Sequence, residues 1–118
     1  QGFDGRPDLF EGKSHPRKAV GHKNIFFDTL VHDTGGLELL IKNQGSKQVL
    51  MGLDDPYPLG EMESEKQSSY PGKILDLAME RKIITETQRD AIWDDNVIQW
   101  LCGDNAAAKD KLVKRILG

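Results

Sequence analysis

The chain has 118 residues, of which 37% are hydrophobic and 30% charged, and its formal net charge is −3. These values are typical of a folded globular domain and exclude the low hydrophobicity and high net charge of a disordered chain. The length also excludes a complete eight-stranded α/β barrel, which needs about 200 residues or more.

Charge and cysteine content narrow the range of partners. No run of Lys and Arg exceeds two residues, so we expect no nucleic-acid partner, because phosphate binding needs a basic face. Cys102 is the single cysteine, which excludes an intramolecular disulfide and favours a reducing, cytoplasmic location. No apolar run reaches the ~18 residues of a membrane span, so we expect no membrane partner.

The first half of the chain has the pattern of a strand-helix-strand unit. Residues 1–23 are rich in Gly, Pro and charge and predict an irregular, loop-rich segment. Residues 25–30 and 48–52 each predict a buried strand, and between them an apolar stripe predicts a helix that ends at Gly45. The stripe consists of Leu37, Leu40 and Ile41. Because about twenty residues separate the strand starts, we expect the strands to be parallel.

The second half of the chain has the pattern of a polar loop followed by helices. An apolar face predicts a helix over 74–81, and Thr85 and Gln88 have the spacing of a capping box for the next helix. That helix is expected to end at Gly103, and Asp104 is placed to cap the last one. Each of these two helices carries an apolar stripe, and we expect the first stripe to pack in the core rather than at an interface. The stripes are Trp93, Val97, Trp100 and Leu101, and then Leu112, Val113, Ile116 and Leu117.

The two predicted strands do not make a stable sheet by themselves. Parallel strands are normally covered on both faces, and two-stranded units are marginal in water. We therefore expect the chain to pair with another polypeptide or to be the end of a longer α/β protein.

The most specific motif lies at 49–61 and reads VLMGLDDPYPLGE. It resembles the motif that ends the last strand in the 2-amino-3-carboxymuconate-6-semialdehyde decarboxylase family of the amidohydrolase superfamily. Weaker similarities lie at 26–40, where a strand and helix match at the same spacing, at 2–9, and at Asn96 with Gly103.

The resemblance implies an α/β fold that is the C-terminal portion of a (β/α)8 TIM barrel. In this interpretation residues 1–23 are loop-rich, residues 24–60 are the last strand-helix-strand unit, and residues 61–118 are a loop and closing helices. The resemblance also implies a homodimer.

The resemblance also implies a catalytic divalent metal, usually zinc, at the carboxyl ends of the strands. The position that ends the last strand is a metal ligand and catalytic residue, and here it is Asp54. The implied reaction is decarboxylation of a small unsaturated carboxylate such as aminocarboxymuconate semialdehyde, through metal-bound water. Arg6 is a candidate for binding the substrate carboxylate, and His32 is a candidate for facing or orienting the substrate.

The sequence departs from the family pattern at several positions. Leu53 replaces a small hydroxyl residue before the ligand, and Asp55 replaces an aromatic residue after it. The family's His-x-His and its further His ligand are absent from this chain. Since a catalytic zinc site takes at least three protein ligands, we expect these 118 residues alone to be inactive.

Each candidate residue also has a structural interpretation. Asp54 has the sequence context of a turn residue, Arg6 of a loop salt bridge and His32 of a local cap. Asp28 lies within the first predicted strand, where it either pairs locally or lines the site. The alternative functions are a metal-dependent hydrolase or hydratase of the same superfamily, or a non-catalytic interaction module.

Overall fold

Two short parallel strands form the sheet. The computed structural model describes residues 2–13, 15–16, 18, 24–31, 33–54 and 70–118. In this part of the chain, β1 (Phe27–Asp28) pairs with β2 (Val49–Leu50), with Phe27 opposite Val49 and Asp28 opposite Leu50. The predicted parallel arrangement is confirmed. The paired region is shorter than predicted because a carboxylate oxygen of Asp28 accepts the N–H of Leu30 at 3.0 Å, which turns the chain out of β1.

Residues 2–10, which lie before the sheet, have more regular structure than predicted. They contain a helical turn, α1 (Gly2–Gly5), and a 3₁₀ turn (Pro7–Phe10), where an irregular segment was expected. Pro7 suits the first position of a helical turn, because its fixed φ is already helical and the missing N–H would have no partner there. The Pro that indicated a loop thus starts a short helix.

Helix α2 (Thr34–Gln44) connects the strands, as predicted. Asp33 caps its first turn by accepting the N–H of Gly36 at 2.7 Å. Gly45 ends it with φ 79° and ψ 169°, a conformation that is essentially restricted to glycine.

Within residues 70–118 the structure has four helical segments and a π-helical segment. Helix α3 (Lys73–Glu80) lies where a helix was predicted. Helix α4 (Glu86–Asp90), the π segment (Ala91–Asp95) and α5 (Asn96–Cys102) run on without a break, and α6 (Ala106–Leu117) closes the chain. We call residues 86–102 the edge helix. None of the described helices is both long and apolar enough to cross a bilayer.

The helix ends follow the sequence with one exception. Both hydrogen bonds of the capping box between Thr85 and Gln88 are present, at 2.9 and 3.2 Å. Gly103 ends α5 with φ 54°. The prediction that Asp104 caps α6 was wrong, because the side chain of Asn105 accepts the N–H of Ala108 at 3.0 Å and so takes the capping position.

The hydrophobic core lies between α2, β2, α3 and the edge helix. Its fully or nearly buried residues are Leu37, Val49, Ile74, Leu75, Ala78, Ile84 and Ile92. Polar groups at its border are paired, since the Thr34 hydroxyl accepts a hydrogen bond from the Arg81 guanidinium. This core covers the side of the sheet on which Val49 is buried.

The predicted tryptophan stripe does not pack in the core. Trp93 is 39% exposed and Trp100 54%, whereas Ile92 is fully buried and Asn96 is 7% exposed. The prediction assumed an α-helical period throughout. The π segment, in which Asn96 donates its N–H to the carbonyl of Ala91, has a wider turn that shifts the buried face to Ile92 and Asn96.

The edge helix lies along the outer edge of β2. Phe27 donates its N–H to the Gln48 carbonyl at 2.8 Å, so the backbone groups of Val49 and Met51 point to the opposite edge. There Met51 donates its N–H to the carbonyl of Ile92 at 2.9 Å. The side-chain amide of Asn96 donates to the carbonyls of Val49, at 2.7 Å, and Ser46, at 2.8 Å.

Candidate functional site

The candidate site lies at the carboxyl edge of the sheet. Because the strands are parallel, both end on the same side, and in α/β proteins this edge carries the functional residues. Residues 29–31 follow β1 there, and residues 51–54 follow β2. The predicted ligand Asp54 is the last described residue of the second segment.

The hydroxyl of Thr29 joins these two segments beyond the paired strands. Thr29 is 1% exposed, and its Oγ1 accepts the N–H of Gly52 at 3.1 Å. The same oxygen lies 3.4 Å from the Gly52 carbonyl and from the sulfur of Met51, so its hydrogen also has acceptors. Thr29 therefore fixes the position from which the chain continues to Asp54.

Gly52 permits the close approach of the two segments. A Cβ at this position would lie 2.8 Å from the Cβ and 3.2 Å from the Cγ of Asp28. Real Cβ contacts are almost never that short, so any other residue would push the segments apart. Packing against Asp28 thus explains why the motif at 49–61 has a glycine at position 52.

Asp54 is exposed and has φ 54°, in the left-handed region. Aspartate adopts this conformation more readily than most residues. Among the described residues, no three His, Cys, Asp or Glu side chains come together in a group that could hold a metal. A catalytic zinc needs three protein ligands, so the described donor set does not fit a metal on its own. The ligand role of Asp54 stays a prediction.

The two predicted substrate-binding residues are not brought together. Arg6 forms an ion pair with Asp8, to which its Nε and Nη2 donate hydrogen bonds at 2.9 and 2.7 Å, and both side chains are exposed. The hydrogen bond to this guanidinium lowers the pKa of Asp8. His32 lies outside the described residues. The salt-bridge interpretation of Arg6 is therefore what the structure shows, and substrate binding by either residue stays a prediction.

Asp28, for which the sequence left pairing and site-lining open, points to solvent. Its carboxylate accepts the N–H of Leu30, which is a local, structural hydrogen bond. The exposed carboxylate remains accessible at the same edge as residues 51–54.

Sequence reasoning missed the structural role of two polar residues that hold the edge together. Thr29 and Asn96 are both buried. A polar side chain among apolar residues indicates a buried hydrogen bond. That signal was weak at both positions, because Asp28 precedes Thr29 and two aspartates precede Asn96.

Two curated relatives match the chain and carry the same name. The chain is 32% identical over 102 residues to the 2-amino-3-carboxymuconate-6-semialdehyde decarboxylase of Dictyostelium discoideum, a match that covers 85% of this chain and 25% of that protein. It is 45% identical over 64 residues to the protein of that name from Caenorhabditis elegans, covering 52% of this chain and 16% of the relative. No protein-family model matches the chain. The chain spans about a quarter of the first relative, and it is therefore a homologue of one part of the 2-amino-3-carboxymuconate-6-semialdehyde decarboxylases.

Proposed function

We propose that the chain is the C-terminal part of a barrel decarboxylase, a carbon-carbon lyase that acts on a small unsaturated carboxylate such as aminocarboxymuconate semialdehyde. The observation that carries the proposal is the exposed Asp54 carboxylate at the carboxyl edge of two parallel strands. The names of the two relatives support decarboxylation as the reaction class.

In this proposal Asp54 supplies one ligand to a divalent metal, zinc by the family resemblance. The other ligands come from residues beyond those described, because the described residues form no group of three. The described residues contribute the negative charge of the Asp54 carboxylate and the contacts that hold its backbone in place. The hydrogen bond from Gly52 to Thr29 and the contact of Gly52 with Asp28 hold the backbone two residues before Asp54.

The contacts that hold the backbone before Asp54 matter, because a side chain that binds a metal must be held close to its productive geometry. Thr29 is buried and belongs to the first strand segment, whereas Asp54 follows the second. A disturbance at Thr29 therefore reaches Asp54 through a single peptide segment. The remaining candidate contacts, Arg6 and His32, would meet the substrate carboxylate from other parts of the chain.

The test uses the full gene product with Asp54→Asn, which keeps the side-chain size and removes the charge. Asp94→Asn is the matched control, because Asp94 is an exposed aspartate in the π segment and lies outside residues 29–31 and 51–54. We expect Asp54→Asn to lower zinc affinity by more than the roughly 10- to 100-fold that loss of an outer hydrogen-bond partner causes. Zinc content by mass spectrometry and release of CO2 from the candidate substrate are the two readouts.

The two readouts separate the parts of the proposal. Unchanged zinc content and activity in Asp54→Asn would refute the ligand role. Zinc binding with hydrolysis or hydration, but no CO2, would favour the other chemistry of the superfamily. A protein that binds no zinc and turns over no substrate would favour the interaction module.

A further inference from the structure

The outer edge of β2 is already occupied by the chain's own helix. The Met51 N–H and the Val49 carbonyl are the groups through which β2 would bond to a further strand. They bond instead to the Ile92 carbonyl and to the Asn96 side chain. Asn96 uses the two N–H groups of one amide for this edge, since it also donates to Ser46.

The edge helix and a further strand exclude each other. An amide N–H is one donor, so the Met51 N–H cannot serve both the helix and a strand. A neighbouring strand would run about 4.8 Å from β2. The Ile92 oxygen, 2.9 Å from the Met51 nitrogen, stands where the carbonyl of that strand would be.

The outer edge of β1 is different. The register turns the Phe27 backbone toward β2 and the Asp28 N–H away from it. Within the described part of the chain, the Asp28 N–H makes no hydrogen bond. Among the described residues the two edges of the sheet are therefore unequal, because the edge helix covers the outer edge of β2 and none of these residues bonds to the Asp28 N–H at the outer edge of β1.

We propose that the edge helix is a displaceable lock on β2, held in place by Asn96. While it is closed, a strand can add to this sheet only along β1. A strand can add at β2 only after Asn96 and Ile92 have released Val49 and Met51. The inference rests on the proposed function in one respect, because a closed barrel needs a strand on both sides of β2. Barrel closure would then include displacement of this helix.

The test is amide hydrogen exchange of the isotope-labelled 118-residue chain, followed by NMR. We expect the Met51 amide to exchange at least about 100-fold more slowly than the Asp28 amide, since only the first is bonded. A scalar coupling across the hydrogen bond, from the Met51 nitrogen to the Ile92 carbonyl carbon, identifies the acceptor. The Ala78 amide inside α3 reports on the core.

Asn96→Ala tests the lock itself. We expect Met51 exchange to rise about 30-fold, the factor that corresponds to two ordinary hydrogen bonds, with little change at Ala78. The matched control is Asn43→Ala, which removes an amide that donates to the Leu39 carbonyl at 2.9 Å on the exposed side of α2. It should leave Met51 exchange unchanged.

Two results would overturn the proposal. The first is equal exchange of the Met51 and Asp28 amides in the unaltered chain while Ala78 stays protected. The second is an equal rise in the exchange rates of the Met51 and Ala78 amides in Asn96→Ala, which would mean that Asn96 stabilises the whole fold and not the edge helix alone. If Asn96→Ala does not fold, the exchange rates of the Met51 and Asp28 amides in the unaltered chain still test the proposal. None of these rates depends on zinc or CO2 release, so failure of the lock and failure of the proposed function are distinguishable.

Discussion

Gly72→Ala tests the packing of the turn before α3 against the edge helix. Gly72 is buried, with φ 83° and ψ 3°, and it precedes the first residue of α3. A Cβ here would lie 2.9 Å from Cη2 and 3.2 Å from Cε3 of Trp93, and closer still to Cζ3. Alanine would therefore meet two penalties, one from the backbone conformation and one from the indole ring.

The two penalties are of similar size. The left-handed conformation costs an L-residue about 1–2 kcal/mol, and overpacking at a filled site costs about 1–3 kcal/mol. Trp93 is 39% exposed and can rotate toward solvent, which limits the overpacking penalty. In doing so it would leave the Arg89 guanidinium, now 5.2 Å from the ring centroid, a contact worth about 0.5–1 kcal/mol. We expect Gly72→Ala to lower the free energy of unfolding by about 2–4 kcal/mol.

Urea unfolding followed by circular dichroism measures the loss, and we expect the midpoint to fall by roughly 1–2 M. The control is a double-mutant cycle with Trp93→Ala, in which the backbone penalty remains and the clash disappears. Gly72→Ala should cost about 1–2 kcal/mol in that background. A cost that is the same with and without Trp93 would refute the packing of the ring over Gly72.

Three further changes have defined outcomes. Thr29→Val keeps the side-chain shape but leaves the Gly52 N–H unbonded, so unfolding in urea should show a loss of about 1–3 kcal/mol. Thr85→Ala removes the capping box with Gln88, and the same measurement should show a loss of about 1 kcal/mol. The hydrogen bond that Tyr70 donates to a nearby carboxylate at 3.0 Å raises the pKa of its phenol. This contribution is complete below the ordinary tyrosine pKa of about 10 and is lost as the pH rises through the higher folded value, so above about pH 10 stability should fall more steeply than in Tyr70→Phe.

Each of these three predictions would be contradicted by a defined result. Thr29→Val with unaltered stability would mean that Gly52 finds another partner. Thr87→Ala, an exposed threonine outside the box, is the control for Thr85→Ala, and equal losses would argue against the cap. A Tyr57→Phe background leaves Tyr70 as the single tyrosine, and a phenol absorbance titration at or below pH 10 in that background would refute its raised pKa.

Features that depend on neighbouring residues were predictable from the sequence. The capping box needs only Thr85 and Gln88, and the end of α2 needs only Gly45. The parallel strands followed from the length of the connection, which rules out a hairpin. In each case the physical cause acts within about twenty residues of chain.

Features that depend on contacts between distant segments were not predictable. Asn96 binds carbonyls 47 and 50 residues away, and no local pattern specifies such partners. The exposure of Trp93 and Trp100 follows from a change of helical period that apolar spacing does not reveal. At the candidate site, Asp54 was identified from its motif, whereas the fixing of its backbone by Thr29 required the fold.

The π segment also determines how changes of chain length act on this protein. Deleting one residue from Ala91–Asp95 would restore the α-helical period there, and every later side chain would keep its direction around the helix axis. The reason is that the wide turn already absorbs the ~100° that one extra residue adds to an α-helix, so the amide of Asn96 would stay at the sheet. A one-residue gap at this place in a related sequence is therefore compatible with the same contact between helix and sheet, whereas a gap elsewhere in residues 86–95 would turn a different side of α5 toward β2.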